Sequence, residues 1–182
     1  EMLAYSFEPF NRWDFASTQS GIHIGQLKTD NGTLDGQSVS FTDDSSFAAA
    51  GENSVFLWNI ATGTLIREYA HAGVTSLAYD RNHSVLATAG ADERIKLWRG
   101  QLATPIKELA DHFGRISHLT FDPTGKLLAS TGVDNSVQVW DVSTGTRVHH
   151  FRSATSPISF SADSKRLISF RIEQSPSSPI AN

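Results

Sequence analysis

The chain has 182 residues, of which 39% are hydrophobic and 19% charged, and its formal net charge at pH 7 is −4. This length suits one ordinary domain, and the acidic balance offers no basic surface of the kind that binds nucleic acid. The sequence contains no cysteine, which excludes disulfides and thiolate chemistry, and it has no apolar run long enough for a transmembrane helix.

The first unit, residues 1–36, contains a short apolar run at 3–7 and predicts further strands at 15–18 and 21–24. The Trp13-Asp14 pair comes before the second of these strands, so we interpret it as coincidental. Asp30-Asn31-Gly32 is a strong hairpin turn signal.

Three more units follow with one common order of short strands and turns. Residues 37–73 predict strands at 38–42, 47–50, 55–59 and 65–69, and residues 74–115 repeat the pattern. In that third unit Pro105 fits an outer edge strand, where a missing N–H does least harm. The fourth unit, residues 116–155, is the most regular.

Residues 156–182 begin a fifth unit, with strands predicted at 157–160 and 165–170. The pattern then stops, and the Ser- and Pro-rich residues 174–179 predict a loop or a disordered tail. No helical periodicity of useful length occurs anywhere in the sequence.

The units recur with a period of about 40 residues, which is typical of propeller blades with four short strands each. Trp58, Trp98 and Trp140 lie 40 and 42 residues apart. A second aromatic column precedes them, at Phe41, Tyr79, Phe121 and Phe160. In the first unit Phe7 aligns with this aromatic column, and Gly25 falls where tryptophan is expected.

The sequence resembles the WD40-repeat family, on Trp140-Asp141 and on two Asp-bearing turns. The resemblance covers nearly the whole chain and implies an all-β fold: a partial WD40-type β-propeller with four full four-stranded blades and part of a fifth. Seven blades is the usual closure of this family. We therefore expect the chain to be a segment of a longer propeller, or a half that a second copy completes.

The resemblance also implies a buried hydrogen-bonded tetrad of His, Ser or Thr, Asp and Trp in two units. The matching residues are His71, Thr88, Asp92 and Trp98 in the third unit and His112, Ser130, Asp134 and Trp140 in the fourth. In the second unit Ala49 and Asn53 occupy the corresponding positions, so we expect no tetrad there. A Ser/His/Asp set also permits a hydrolase interpretation, but a set that recurs at the repeat period favours a structural role.

Other polar clusters suggest no metal site. His149 and His150 are adjacent on a predicted strand and point to opposite faces, so they cannot chelate one ion together. Asp43, Asp44 and Asp80 are expected in turns after the inner strands, and calcium would need more oxygens in one loop. We expect no metal and no cofactor.

In WD40 proteins partner contacts lie on the narrower top face, beside the start of each inner strand and just before the turn aspartate. The residues of this chain at those places are Arg115, Ser117 and Val133 in the fourth unit, Gly73, Thr75 and Ala91 in the third, and Asp35, Gln37 and Glu52 in the second. Arg115 is the strongest anchor, since arginine is enriched at binding hot spots.

Two classes of function stay open. The first is a non-catalytic interaction module, part of a scaffold or sensor that binds a protein or peptide. The second is a ligand-binding or catalytic propeller that uses its central channel, which would need convergent polar groups on the inner strands; these offer mainly Ser and Thr, plus His118. Residues 1–4 lack the features of a secretory signal, so the cytoplasm is the expected compartment.

Overall fold

The structure is a computed structural model. It describes residues 38–43, 45–51, 53–100 and 102–170 with their side chains, and residues 2–6, 12–17, 23–28 and 171 by their backbone. Every regular element in these ranges is a β-strand. Within the same ranges no helix is long and apolar enough to cross a membrane.

The strands form five antiparallel sheets, and within each sheet the strands follow one another in chain order. Sheet 1 has β1 Met2–Ser6, β2 Arg12–Ser17 and β3 His23–Lys28; sheet 2 has β4 Val39–Phe41, β5 Ser46–Ala50, β6 Ser54–Asn59 and β7 Leu65–Ala70; sheet 3 has β8 Val74–Asp80, β9 Val85–Gly90, β10 Ile95–Arg99 and β11 Lys107–Leu109; sheet 4 has β12 Ile116–Phe121, β13 Leu127–Gly132, β14 Ser136–Asp141 and β15 Arg147–Arg152; sheet 5 has β16 Ala154–Phe160 and β17 Leu167–Arg171.

The predicted all-β fold of successive propeller-type sheets is confirmed. Sheets 2, 3 and 4 have the four strands predicted for full blades, and sheet 5 has two, as expected for part of a blade. Sheet 1 is described over three strands, because residues 29–37, with the predicted Asp30-Asn31-Gly32 turn, lie outside the described residues. The predicted tail at 174–179 lies outside them as well.

The three tryptophans in register occupy equivalent rows of sheets 2, 3 and 4. Each indole-bearing residue pairs with an apolar residue of the second strand, which pairs in turn with the aromatic residue near the end of the inner strand. The rows are Trp58–Phe47–Phe41, Trp98–Leu86–Tyr79 and Trp140–Leu128–Phe121. The repeat in the sequence is therefore a repeat of strand register.

Neighbouring sheets bury small residues of one second strand against apolar residues of the next inner strand. Ala48 and Ala50 of β5 lie in one buried cluster with Val74 and Leu77 of β8. The next junction is built the same way, with Ala87 and Ala89 of β9 against Ile116 and Leu119 of β12. Burying a valine, leucine or isoleucine side chain contributes roughly 1.5–3 kcal/mol, so these junctions are a main source of stability.

Serine hydroxyls also link the inner strands of successive sheets. The Leu77 N–H donates to Ser38 Oγ at 2.9 Å, and the Leu119 N–H donates to Ser76 Oγ at 3.0 Å. Each acceptor lies one sheet before its donor. These bonds set β4, β8 and β12 side by side, in the order that a propeller requires.

The first unit was predicted with the wrong strand boundaries. The second strand begins at Arg12 rather than 15, so Trp13-Asp14 lies inside β2, and the third runs to Lys28. Gly25 pairs with Phe15, which pairs with Ala4, so its row does not lead to Phe7. Aromatic residues at alternate positions favour a strand, and that local preference outweighs the weak match to the repeat.

Three smaller predictions are also corrected. Pro105 lies before the outer strand β11, which begins at Lys107. The fifth sheet begins at Ala154, because Ser153, with φ of 56°, turns the chain there. Asp80 is the buried last residue of β8 rather than a turn residue, and Asp44 lies outside the described residues.

The Asp80 carboxylate organises the turn that follows β8. It accepts hydrogen bonds from the Asn82 N–H at 3.0 Å, the His83 N–H at 3.1 Å and His83 Nδ1 at 2.6 Å. Gly125 of the next sheet packs on the same carboxylate. Its φ is +70°, and a Cβ added there would lie 2.1 Å from Asp80 Oδ2.

We therefore expect Gly125→Ala to lower the free energy of unfolding by about 3 kcal/mol, from backbone strain plus displacement of a buried carboxylate. Gly100→Ala is the matched control, because Gly100 also has positive φ (+59°) but open space around it. The control should lose only the strain, about 1 kcal/mol. Urea denaturation of the two variants measures both losses. Equal losses would show that the close contact of Gly125 with the Asp80 carboxylate does not contribute to stability.

Candidate interaction surface

In sheet 4 a chain of hydrogen bonds joins the four residues expected to form a tetrad. Trp140 Nε1 donates to Ser130 Oγ at 2.9 Å, Ser130 Oγ lies 2.8 Å from His112 Nε2, and His112 Nδ1 lies 2.8 Å from Asp134 Oδ2. An indole N–H is a donor only. The Ser130 hydroxyl therefore accepts a hydrogen bond from the indole and donates one to His112 Nε2, and His112 Nδ1–H donates to the carboxylate.

Sheet 3 has the same chain with the imidazole turned over. Trp98 Nε1 donates to Thr88 Oγ1 at 2.9 Å, and that hydroxyl lies 2.6 Å from His71 Nδ1. His71 Nε2 lies 3.1 Å from both Asp92 oxygens. Both ring orientations satisfy the tetrad, because it needs only one ring nitrogen that accepts from the hydroxyl and one that donates to the carboxylate, and a neutral imidazole offers both.

Sheet 2 lacks this chain, as the sequence indicates. Ala49 stands at the place of the hydroxyl residue, and a methyl group accepts no hydrogen bond. The buried Trp58 Nε1 accordingly has no hydrogen-bond partner among the described residues. Packing alone holds this tryptophan, beside Phe56 with ring centroids 6.4 Å apart.

The geometry of the Ser/His/Asp set does not suit a nucleophile. Ser130 has no exposed surface and Thr88 has none either. Each hydroxyl already accepts an indole N–H on one side and donates to an imidazole on the other. A substrate carbonyl has no route to such an oxygen, so the arrangement supports the structural interpretation.

Burial lowers the pKa of His112 and of His71 below the usual 6.5, although hydrogen bonds to Asp134 and Asp92 oppose this effect. Burial alone also lowers the pKa of the half-buried His118. The pKa of Asp134 is lowered as well: burial opposes the shift, but hydrogen bonds from the Phe113 N–H and His112 outweigh it. The tetrad of sheet 4 thus holds a neutral imidazole beside an ionised carboxylate, and the imidazole in sheet 3 is neutral as well.

The predicted top-face residues are arranged alike in sheets 3 and 4. The Ala91 N–H donates to the Gly73 carbonyl at 2.9 Å, and the Val133 N–H donates to the Arg115 carbonyl at 2.9 Å. Ala91, Arg115 and Val133 are exposed. These four residues therefore lie together in pairs at the start of two inner strands.

The two hydroxyl residues of this set are engaged in the fold. Thr75 Oγ1 donates to the Ile116 carbonyl of the next sheet, and Ser117 Oγ lies 3.1 Å from Ser156 Oγ of sheet 5. Both hydroxyls link neighbouring sheets; Thr75 is half-buried, and Ser117 stays exposed. Asp35, Gln37 and Glu52, the candidates from the second unit, lie outside the described residues.

Sequence reasoning missed the most exposed aromatic residue of this surface. Phe113 is 84% exposed and its neighbour Val133 is 62% exposed. The Phe113 N–H donates to Asp134 Oδ2 at 3.1 Å, so the tetrad carboxylate holds its backbone. Gly114, with φ of +115°, lies so close that an added Cβ would meet Val133 Cγ2 at 2.7 Å.

A signal for Phe113 is present in the sequence. Two residues separate the tetrad histidine His71 from the inner strand at Val74, whereas three separate His112 from Ile116. The residue after the tetrad histidine is exposed in both turns, as Ala72 in sheet 3 and as Phe113 in sheet 4, so the longer turn of sheet 4 places a large aromatic side chain there. We define the rim surface as Phe113, Arg115 and Val133 of sheet 4 with Gly73 and Ala91 of sheet 3.

A cavity of about 360 Å³ adjoins Phe113 at the outer side of sheet 4. Its lining is mixed in charge, with Asp111, Asp134, His150 and Arg152. His149 and His150 lie on β15, whose six residues are all exposed. Among the described residues no group of three or more His, Asp or Glu side chains could hold a metal ion.

We expect Asp134→Ala to destabilise the protein more than the matched variant Asp92→Ala. Asp134 accepts hydrogen bonds from His112, the Phe113 N–H and the backbone and hydroxyl of Ser136, and its side chain is 10% exposed. The Asp92 side chain is 35% exposed. Chemical denaturation should show losses of about 3 and about 1 kcal/mol, and equal losses would contradict this ranking.

Stability should fall on acidification below about pH 6.5. In that range the unfolded chain takes up protons on His71 and His112 while the folded protein, whose imidazole pKa values are lowered, does not. The free energy of unfolding, measured by urea titration between pH 7.5 and 5, should therefore decrease with decreasing pH. The double variant His71→Gln with His112→Gln should weaken this dependence of the free energy of unfolding on pH. An unchanged dependence would show that other ionisable groups cause it.

Comparison with known proteins agrees with this geometry. The family model described as "WD domain, G-beta repeat" matches residues 63–99 and 103–141, which include β10, β14 and both tetrad tryptophans. None of the curated proteins matches the chain. The matched repeats, together with the equivalent rows of sheets 2, 3 and 4, support the assignment of this chain to the WD40-repeat family.

Proposed function

We propose that the chain is a non-catalytic interaction module, part of a scaffold or sensor, which binds a protein or peptide through the rim surface. WD40 repeats generally mediate protein–protein interactions. In this chain we assign the interaction to the rim surface, and no cofactor takes part in it. We place the protein in the cytoplasm, with further blades supplied by a longer chain or by a second copy.

The exposure of Phe113 and Val133 is the observation that carries the proposal. Two apolar side chains that are 84% and 62% exposed gain nothing from folding. Phe113 is nevertheless held by a hydrogen bond to the tetrad and Val133 by one to Arg115. Aromatic residues, phenylalanine among them, and arginine are enriched at the cores of protein–protein interfaces.

The alternative, a ligand site or catalytic site in the central channel, has less support. His118 is the one ionisable side chain on the described part of β12, and within the described residues no hydrogen bond or ion pair joins it to an acid or base. The tetrad hydroxyls are buried. Partner binding at the rim is therefore the better-supported function.

The test is retention of protein partners by the immobilised chain, measured by quantitative mass spectrometry. Phe113→Ser with Val133→Ser should release partners that the original chain retains, and the Kd of a recombinant partner should rise about 30-fold or more, as for hot-spot residues. Leu102→Ser is the matched control, since Leu102 is 54% exposed on the loop before β11. Equal retention by all three proteins would refute the rim surface.

A further inference from the structure

A cavity of about 110 Å³ opens between sheets 2 and 3, at the end of the sheets opposite the rim surface. It adjoins the end of β4, the start of β9 and the end of β10, whereas the rim surface adjoins the starts of β8 and β12. This volume is several times the roughly 30 Å³ that one water molecule occupies in the liquid. The cavity is therefore large enough to receive a small organic group.

The corresponding place between sheets 3 and 4 is filled by apolar side chains. Val85 and Val142 lie there in one buried cluster with Leu109. Between sheets 2 and 3, Ser46 takes the place of Val85, one residue before the row of the tryptophan. Gly100 takes the place of Val142, two residues after the tryptophan. Two losses of side-chain volume therefore leave this junction open at one end.

Three aromatic side chains line the cavity: Tyr69, Tyr79 and Trp98. The ring centroids of Tyr69 and Trp98 lie 5.0 Å apart, and their planes are inclined by 40°, so together they make a bent surface. The Tyr69 hydroxyl donates to the Gly100 carbonyl at 3.0 Å, and Trp98 Nε1 donates to Thr88 Oγ1 at 2.9 Å. Both rings are therefore held in place by the fold itself.

A carboxylate lies at the edge of the cavity, on the exposed residue Asp43. Its Oδ1 accepts hydrogen bonds from the N–H and the hydroxyl of Ser45, both at 2.7 Å, and its Oδ2 accepts one from Ser46 Oγ at 2.8 Å. Burial opposes the shift, but these hydrogen bonds outweigh it and lower the pKa of Asp43. The carboxylate is therefore ionised, while most of its capacity to accept hydrogen bonds is already used.

An ionised carboxylate beside aromatic rings is complementary to a cation that donates no hydrogen bonds. Aromatic rings attract cations through their negative faces, and proteins recognise quaternary ammonium groups in this way. We propose that the cavity binds a trimethylammonium group, with its methyl groups against the three aromatic rings and its charge beside the Asp43 carboxylate. Choline, as a free cation, and a trimethylated lysine of a protein partner both carry this group.

Isothermal titration calorimetry tests the proposal with the full 182-residue chain. Choline should bind, and its neutral isostere, in which a carbon atom replaces the charged nitrogen, should bind about fivefold more weakly or worse. A short peptide with trimethyllysine, compared with the same peptide with unmodified lysine, identifies the source: tighter binding of the methylated peptide than of choline would assign the site to a protein partner. Equal binding of choline and its isostere, or no binding of choline and of the methylated peptide, would overturn the proposal.

Substitutions at the cavity give a second test. Asp43→Asn removes the charge at nearly constant size, and Tyr79→Leu replaces an aromatic ring by an aliphatic group in a half-buried position. Each should raise the Kd for choline about fivefold or more. An unchanged Kd in both variants would contradict the proposed contacts.

Asp163→Asn is the matched control for loss of charge. Asp163 is also an exposed turn carboxylate, which accepts hydrogen bonds from the Ser161 hydroxyl and the Lys165 N–H, but it lies in sheet 5. This variant should leave the Kd for choline unchanged, and an effect equal to that of Asp43→Asn would show that only the net charge matters and overturn the site. Choline binding is measured without any partner protein, so failure of the rim surface to bind partners would leave it unaffected, and the two proposals fail independently.

Discussion

Burial of an indole N–H is the constraint on which the regular part of this structure depends. Trp98 and Trp140 lie in the core between sheets, where an unpaired donor costs roughly 1–3 kcal/mol. A hydroxyl on the second strand accepts a hydrogen bond from that N–H, an imidazole nitrogen accepts one from the hydroxyl, and a turn carboxylate accepts one from the imidazole. Satisfying one buried group therefore determines the identity of three others.

The same chain of bonds connects the core to the surface. Asp134 is the last member of the hydrogen-bonded series in sheet 4, and its carboxylate also accepts a hydrogen bond from the Phe113 N–H. A residue that stabilises the fold thus positions the aromatic side chain that we propose for partner binding. Sheet 3 has the shorter turn, with Ala72 and Gly73 after His71, and carries no such side chain. The two turns differ by one residue in length and by phenylalanine in place of alanine after the histidine.

Close packing between sheets is the second constraint, and it distinguishes sheet 5 from the others. Alanine or threonine on the second strand lets the next inner strand pack closely. Ile168 and Phe170 of β17 replace this close packing with exposed apolar area.

The sequence by itself determined the repeat, the strand order and the tetrad members, because tryptophan and the aromatic residue of the inner strand recur at a spacing set by four short strands. It failed in the first unit, where the repeat is weak and the alternation of Trp13 with Phe15 outweighs it. Only the tertiary structure decided which side chains stay exposed. Exposure depends on what packs from a neighbouring sheet: the sequence marks the longer turn that contains Phe113, but it does not show that Phe113, Ile168 and Phe170 stay exposed.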